Sequence, residues 1–450
     1  YHNQKMCRYM QHTRHFFKLL CRHFSKRTKQ IKGSAEPEKL PIFEYPVASE
    51  TDRRLYAWGL AETGALGVSE PKTSRKSFSS VVTHPTRIGF GEKYTVGDVS
   101  CGYGFTLFAV RDKNSKLFGT GINTDSQLGY QEQRKDGALE CLTYPAPIAL
   151  PLAEPATNVV SITSGRAHSI VLTDREGAFT IGNNSYGQCG RPINKKEIYG
   201  GSKALPFAIP NLGNEQITAV HCGQDHSLFL NKSGKVFSCG WGADGQTGLG
   251  HYRNEHVPTQ VLGDIASEHI TKVAGIADCV LAINDKGEVF GWGNSEYGQL
   301  SQGSGAQQIN TPRHLPFCRT FGRIVDIATG GSFCGIVNDQ GEVFVWGFGI
   351  LGKGPEIEHS FMPTPIPPVL FGKNEYNPNV FVTSINCGLS HFVALTNHGD
   401  VYTWGRNRHA CLGLGHYNNQ FFPFKVAIGA RAVKVSCGID HNVVLCKPHL

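Results

Sequence analysis

Residues Ser238–Gly248 read SCGWGADGQTG. Inside them, Gly240-x-Gly242-x-x-Gly245 has the glycine spacing of a dinucleotide-binding loop. Such a loop needs a helix directly after it, because the amides of the helix N-terminus hold the pyrophosphate. No helical pattern follows Gly245. Instead the stretch has relatives along the chain: YAWGLAETGALG (56–67), FGTGINTDSQLG (118–129), FTIGNNSYGQCG (179–190), FGWGNSEYGQL (290–300), FVWGFGILG (344–352) and YTWGRNRHACLG (402–413). The aligned glycines are Gly59, Gly121, Gly182, Gly240, Gly293, Gly347 and Gly405, spaced 62, 61, 58, 53, 54 and 58 residues apart. In four copies a tryptophan precedes the glycine: Trp58, Trp292, Trp346 and Trp404. The glycines therefore read as a repeated turn and not as a phosphate cradle.

A second signature alternates with the first: CGYGFTLF (101–108), SGRAHSIVL (164–172), CGQDHSLFL (222–230), AGIADCVLA (274–282), TGGSFCGIV (329–337), CGLSHFVAL (387–395) and CGIDHNVVL (437–445). A third mark, a Pro with an apolar residue three later, falls once in each gap: Pro85/Ile88, Pro145/Ile148, Pro206/Ile209, Pro258/Val261, Pro312/Leu315, Pro363/Ile366 and Pro423/Val426. The run after Cys-Gly is strand-like. It meets a turn such as Lys232-Ser233-Gly234, and a second short strand follows, which together predict a hairpin. The Pro element reads as an outer strand, because a proline cannot donate to a sheet ladder. Units of this length with four strands predict an all-β, seven-bladed β-propeller over 52–450. The first signature of the chain is the Trp58-Gly59 type and the last is the Cys437-Gly438 type. Pairing the two ends would close the ring and bury two sheet edges, so the last blade is expected to combine N- and C-terminal strands.

The pattern C-G-x-x-H-S-L-x-L, then V-F-x-W-G, then G-Q-L-G, resembles the regulator of chromosome condensation family, a family of seven-bladed propellers. The resemblance covers about residues 52–447. The stretches CGYGFTL, GNNSYGQCG, CGWGADGQTGLGHY and WGFGILGKGP resemble its mitochondrial branch.

The net charge of +8 is unevenly placed. Residues 1–33 hold nine Lys/Arg and no acid, which leaves 35 basic against 36 acidic residues in the rest. A neutral body argues against nucleic-acid binding through bulk charge, though not against a local basic patch. In RHFFKLLCRHF (14–24), Phe17, Leu20, Cys21 and Phe24 share a helical face, and Arg14, Lys18 and Arg22 share another. A basic, amphipathic, acid-free segment resembles a mitochondrial transit peptide. A basic tail and an RNA- or membrane-touching arm are the alternatives. Residues 34–51 read as a Pro/Glu-rich linker. The fourteen cysteines include no C-x-x-C pair and follow the repeat, which suits a reducing compartment such as the mitochondrial matrix. No apolar run is long enough to predict a transmembrane helix.

His168, His226, His391 and His441 share one repeat position, where Phe105 and Phe333 also occur. Histidine exchanged for phenylalanine implies a packed, hydrogen-bonded core residue and not a metal ring. Cys101, Cys222, Cys387 and Cys437 read as small buried residues near the channel. Gly347-x-x-x-x-Gly352-Lys353-Gly354 falls one hydroxyl short of a Walker A loop, and the Pro-rich stretch after it forbids the helix that loop requires. The residue before the repeated His varies: Gly104, Ala167, Asp225, Ala277, Ser332, Ser390 and Asp440. The resemblance implies that acidic residues in such turns face a bound GTPase. Asp225 and Asp440 fit that role, and capping of their own turns is the alternative. Arg166 and Ser390, in the same turns, complete the candidate partner face. The insertions at 68–98 (with Lys72, Arg75 and Lys76) and 131–158 are further candidates for partner specificity.

No catalytic triad, paired carboxylates or metal-ligand spacing stands out, so a monomeric, cofactor-free binding protein and not an enzyme is expected. The resemblance implies a scaffold in mitochondrial ribosome biogenesis in the matrix. Its partners there would be assembly factors, pseudouridine synthases and large-subunit rRNA, and it could contact the inner membrane peripherally. The alternative it implies is guanine-nucleotide exchange on a mitochondrial GTPase, such as the dynamin-like fusion GTPase of the inner membrane.

Overall fold

The computed structural model describes residues 53–68, 80–132, 139–199, 205–300 and 306–448. The basic segment 1–33, the linker 34–51 and the cluster Lys72, Arg75 and Lys76 lie outside these residues. Among the described residues, 28 strands form seven four-stranded antiparallel sheets. Blades I to VI take residues 96–147, 159–209, 217–260, 270–314, 324–366 and 382–425. Blade VII combines the two ends. Its two inner strands are Arg431–Cys437 and His441–Lys447, and its outer pair is Arg54–Leu60 and Val81–Arg87. The seam runs from Arg54↔Cys446 to Gly59↔His441, so the ring closes as the alternation of signatures requires. Within the 68–98 insertion, Val81–Arg87 is thus the outer strand of this blade, followed by the short helix Phe90–Lys93.

The third sequence mark marks the outer strands. Pro85, Pro145, Pro258, Pro312, Pro363 and Pro423 lie within them, and Pro206 immediately precedes Phe207–Ile209. The apolar residue three later is buried in all seven blades. Among the described residues, no blade has a core of its own. The seven apolar clusters each join strands of two neighbouring blades. A single blade could not bury its faces, so the ring gains stability from closing.

The innermost strands line a channel of about 250 Å³, and Cys101, Cys222, Cys387 and Cys437 are on its wall. Two carboxylates stitch this wall across three blades each. Asp98 accepts the Ile162 amide of the next blade at 3.0 Å and pairs with Lys434 of the preceding one. Asp326 repeats the arrangement with the Ile385 amide, at 2.8 Å, and Lys272. Both sit at bulges, where the irregular backbone turns the side chain toward the neighbour.

Candidate protein-docking face

The turn between the first and second strand of each blade opens on one face of the disc, beside the end of the third strand. The repeated glycine fixes this junction. Gly59, Gly121, Gly182, Gly240, Gly293, Gly347 and Gly405 all have φ between +95° and +120°. A β-carbon there would lie 2.0–2.8 Å from the carbonyl oxygen of the turn residue. The amide after each glycine donates to that same oxygen: Leu60 to Asp440, Ile122 to Gly104, Asn183 to Ala167, Trp241 to Asp225, Asn294 to Asp278, Phe348 to Ser332 and Arg406 to Ser390. Only glycine allows the two backbones to approach so closely.

This set of bonds corrects the reading of blade IV. Its turn is one residue longer, so Asp278 and not Ala277 occupies the variable position, and Cys279 takes the place of the histidine, paired with Gly293. Ala277 is buried. Aligning AGIADCVLA from its Asp-Cys end, and not from Ala-Gly, would have found this in the sequence. Three turns are therefore acidic: Asp225, Asp278 and Asp440.

Each of these acids is met from the preceding blade. Arg166 of blade II forks onto Asp225, with Nε–Oδ1 at 3.1 Å and Nη2–Oδ2 at 2.8 Å. Burial still outweighs the arginine and raises the Asp225 carboxyl above the ordinary range. Gln246 of blade III donates to Asp278 Oδ1 at 2.8 Å. Burial first, then the charges of Asp244 and Asp225, pushes Asp278 up to about 6. Asp440 lies three blades away from Asp278. Its Oδ2 is 3.3 Å from His409 Nδ1 and its Oδ1 is 3.7 Å from Arg408 Nε, so it faces Arg408 and His409 of its own molecule. Ser390 sits half-buried in its turn and brings no charge.

The structure thus gathers Asp225, Arg166 and Asp278 and leaves Asp440 and Ser390 apart. It also adds residues that the sequence reading did not single out. Asp244 lies beside Asp278 and accepts a bond from Gln308 at 2.8 Å. Trp241 follows the repeated glycine and packs edge-on against Tyr186, at 4.7 Å between centroids. Tyr103 of blade I bonds Gln224 Oε1 at 3.2 Å. Burial, followed by the charges of Asp278 and Asp225, raises its phenol above the ordinary range. Three carboxylates against one arginine, bordered by half-buried aromatics, make a surface suited to a basic, partly apolar partner.

The repeated histidines do not reach this surface. His168, His226, His391 and His441 are fully buried. His168 Nε2 meets Ser227 Oγ at 3.1 Å, His391 Nε2 meets Asn442 Oδ1 at 3.2 Å, and His441 Nε2 meets Thr106 Oγ1 at 2.9 Å. Each bond crosses to the next blade.

The profile of the regulator of chromosome condensation (RCC1) repeat matches residues 52–109, 177–230, 233–283, 286–337 and 398–445. A second RCC1 repeat profile matches 159–188, 217–246 and 382–411. The RCC1-like G exchanging factor-like protein of Mus musculus is 45% identical over 437 residues, 94% of each chain. The human protein of that name is 45% identical, over 91% of this chain and 90% of its own. The secretion-regulating guanine nucleotide exchange factor of Bos taurus is 27% identical over 92% of this chain and 86% of its own. The crystal structure of human WBSCR16 superposes with a TM-score of 0.83 at 45% identity, covering 88% of this chain and all of that one. Prp20p of Saccharomyces cerevisiae shares the fold, with a TM-score of 0.70 at 19% identity.

Proposed function

Because the chain belongs to the RCC1 repeat family, we propose that it is a mitochondrial guanine-nucleotide exchange factor that docks a GTPase on the face carrying Asp225 and Asp278. The observation that carries this reading is the Asp225–Asp244–Asp278 locus. It is a net-acidic surface beside Trp241, on turns whose backbone is fixed by the repeated glycine junction. The 45% identical relatives, named exchanging factor-like, and the 27% identical secretion-regulating exchange factor support it. The mechanism is binding alone: a rigid face holds the nucleotide-free GTPase more tightly than the GDP-bound form, so GDP leaves faster. The candidate GTPase is the dynamin-like fusion protein of the inner membrane. The test is release of labelled GDP from that GTPase. Acceleration by the wild-type protein, reduced at least tenfold by Asp225→Ala with Asp278→Asn, is expected. An unchanged release rate with wild type removes the reading.

A second reading, a matrix scaffold in large-subunit ribosome assembly, is favoured by a different feature. A cleft of 540 Å³ between blades I and II is lined by Arg111, Lys113 and Lys116. None of the three is in an ion pair among the described residues, and Asp112 and Asp174 in the same cleft are occupied by backbone amides. With three cations against two carboxylates, the cleft is slightly basic on a neutral body, and its cations could meet an rRNA backbone. Cross-linking in intact mitochondria should recover large-subunit rRNA with wild type, and less of it with Lys113→Glu/Lys116→Glu. Equal recovery with both would dismiss this reading and leave the exchange reading standing.

A further inference from the structure

An array of aromatic rings crosses from blade IV to blade V on the docking side of the disc. Tyr297, in the loop after the third strand of blade IV, stacks on Phe348 at 5.3 Å between centroids and 17° between planes. Phe348 meets the edge of His359 at 6.1 Å, and His359 lies 4.0 Å from Phe361. The array is held in place. His359 Nε2 is 3.2 Å from the Tyr297 carbonyl oxygen, and the hydroxyl of turn residue Ser332 donates to the Phe348 carbonyl at 2.7 Å. Yet its outer members face solvent: Phe361 is 65% exposed, Met362 47%, and Tyr297 and Ile357 39% each. Contiguous aromatic surface of this kind marks an interaction site.

The charge around it decides what it takes. Glu296 adjoins Tyr297, while Glu356 and Glu358 alternate with Ile357 and His359. All three are exposed, and none is in an ion pair among the described residues. Stacked aromatics could hold unpaired bases, but three free carboxylates repel a phosphate backbone. Guanidinium groups are attracted both to the carboxylates and to the ring faces.

We infer that this shelf binds an arginine-bearing, apolar segment of a partner protein, and not RNA. The shelf and the acidic locus share no residue, so each can fail alone.

The test is fluorescence anisotropy of the full-length protein with a labelled alternating Arg-Leu peptide, beside an Arg-Ser peptide and oligouridylate of equal length. The Arg-Leu peptide should bind, with Phe361→Ser weakening it about tenfold. Glu356→Gln/Glu358→Gln should weaken it and flatten its salt dependence, and Asp225→Ala should leave it unchanged. Thermal melts of the variants establish folding, and Ile357→Ser replaces any variant that unfolds. Equal binding to wild type and Phe361→Ser, tighter binding of oligouridylate, or no binding of Arg-Leu overturns the inference.

Discussion

His441 Nε2 and Thr106 Oγ1 lie 2.9 Å apart, and that contact joins the final strand of the chain to the first complete blade. It belongs to a series in which the residue at the histidine position meets the following residue of the next blade. The pairs are chemically matched: His168 with Ser227, His391 with Asn442, the Cys279 and Cys334 sulfurs at 3.9 Å, and Phe333 stacked on Phe392 at 4.2 Å. Blade I, with Phe105 against Ser169, and blade III break the match. His226 faces a blade whose corresponding residue is Val280, and among the described residues both its ring nitrogens are buried without a partner. His226 Nε2 and Val280 Cγ2 flank Gly275, at 3.6 and 3.0 Å from where its β-carbon would sit.

An unsatisfied buried ring costs stability, whereas a satisfied one is costly to remove. His226→Phe places there the residue that blades I and V already use, and it should be neutral or stabilising. His441→Phe leaves the Thr106 hydroxyl with only the weakly accepting Cys101 sulfur, at 3.9 Å, and should cost about 1–3 kcal/mol. Urea unfolding of the two variants separates them. Equal losses would mean that His226 has an undetected partner.

Acid should loosen the ring through its buried histidines. Burial holds His168 and His226 down to about 3, and His221 and His441 to about 4. The unfolded chain takes up these protons near pH 6.5. Stability is therefore full above pH 6.5 and falls as pH drops toward 4, by about 1.4 kcal/mol per pH unit for each ring. Melting temperature should decline steadily over that range, and His226→Phe should make the decline shallower. A flat profile would contradict neutral, buried rings.

Asp278 carries the opposite sign. Its carboxyl titrates near 6 in the fold and near 4 when unfolded. Its contribution to stability is complete below about pH 4 and is lost as pH rises through 6. Asp278→Asn imitates the protonated acid and can keep the bond from Gln246. It should stabilise the protein at pH 8 by about 1–2 kcal/mol, allowing for partial exposure, and by much less at pH 4. A basic partner needs the ionised form, so docking should strengthen between pH 5 and 7, and the variant should lose that dependence. Identical pH profiles for both proteins would place the partner elsewhere.

How much of this was legible follows from what repeats. The blade count, the outer strands and the closure are set by features that return in every unit, and single-chain periodicity exposes them. The docking residues are those that do not repeat. Asp278 was hidden by one extra residue in its turn, and counting from the Ala-Gly end put Ala277 in its place. Asp244 and Trp241 lie within the opening stretch itself, but their nearness to Asp225 comes from the turn of a neighbouring strand. The exposed array from Tyr297 to Phe361 joins residues of two blades, and no spacing in the sequence announces it. Arg408 and His409, opposite Asp440, come from the preceding blade in the same way.

The repeated glycine of blade IV gives the sharpest structural test. At Gly293, φ is +95° and a β-carbon would stand 2.0 Å from the Asp278 carbonyl oxygen, which already accepts the Asn294 amide at 2.8 Å. Gly250 also has a positive φ, +79°, but open space where its β-carbon would go. If the repeated glycines serve only to turn the chain, alanine at either site should cost the same, about 1 kcal/mol. If they exist so that a strand can pass close to the turn beside it, the costs must diverge. Gly293→Ala then adds a backbone clash to the φ penalty and breaks the Asn294 bond. The loss should reach about 3–5 kcal/mol, and the displaced Asp278 turn should weaken docking as well. Urea midpoints for the two variants decide between the accounts, and a gap below about 1 kcal/mol would favour the simple turn.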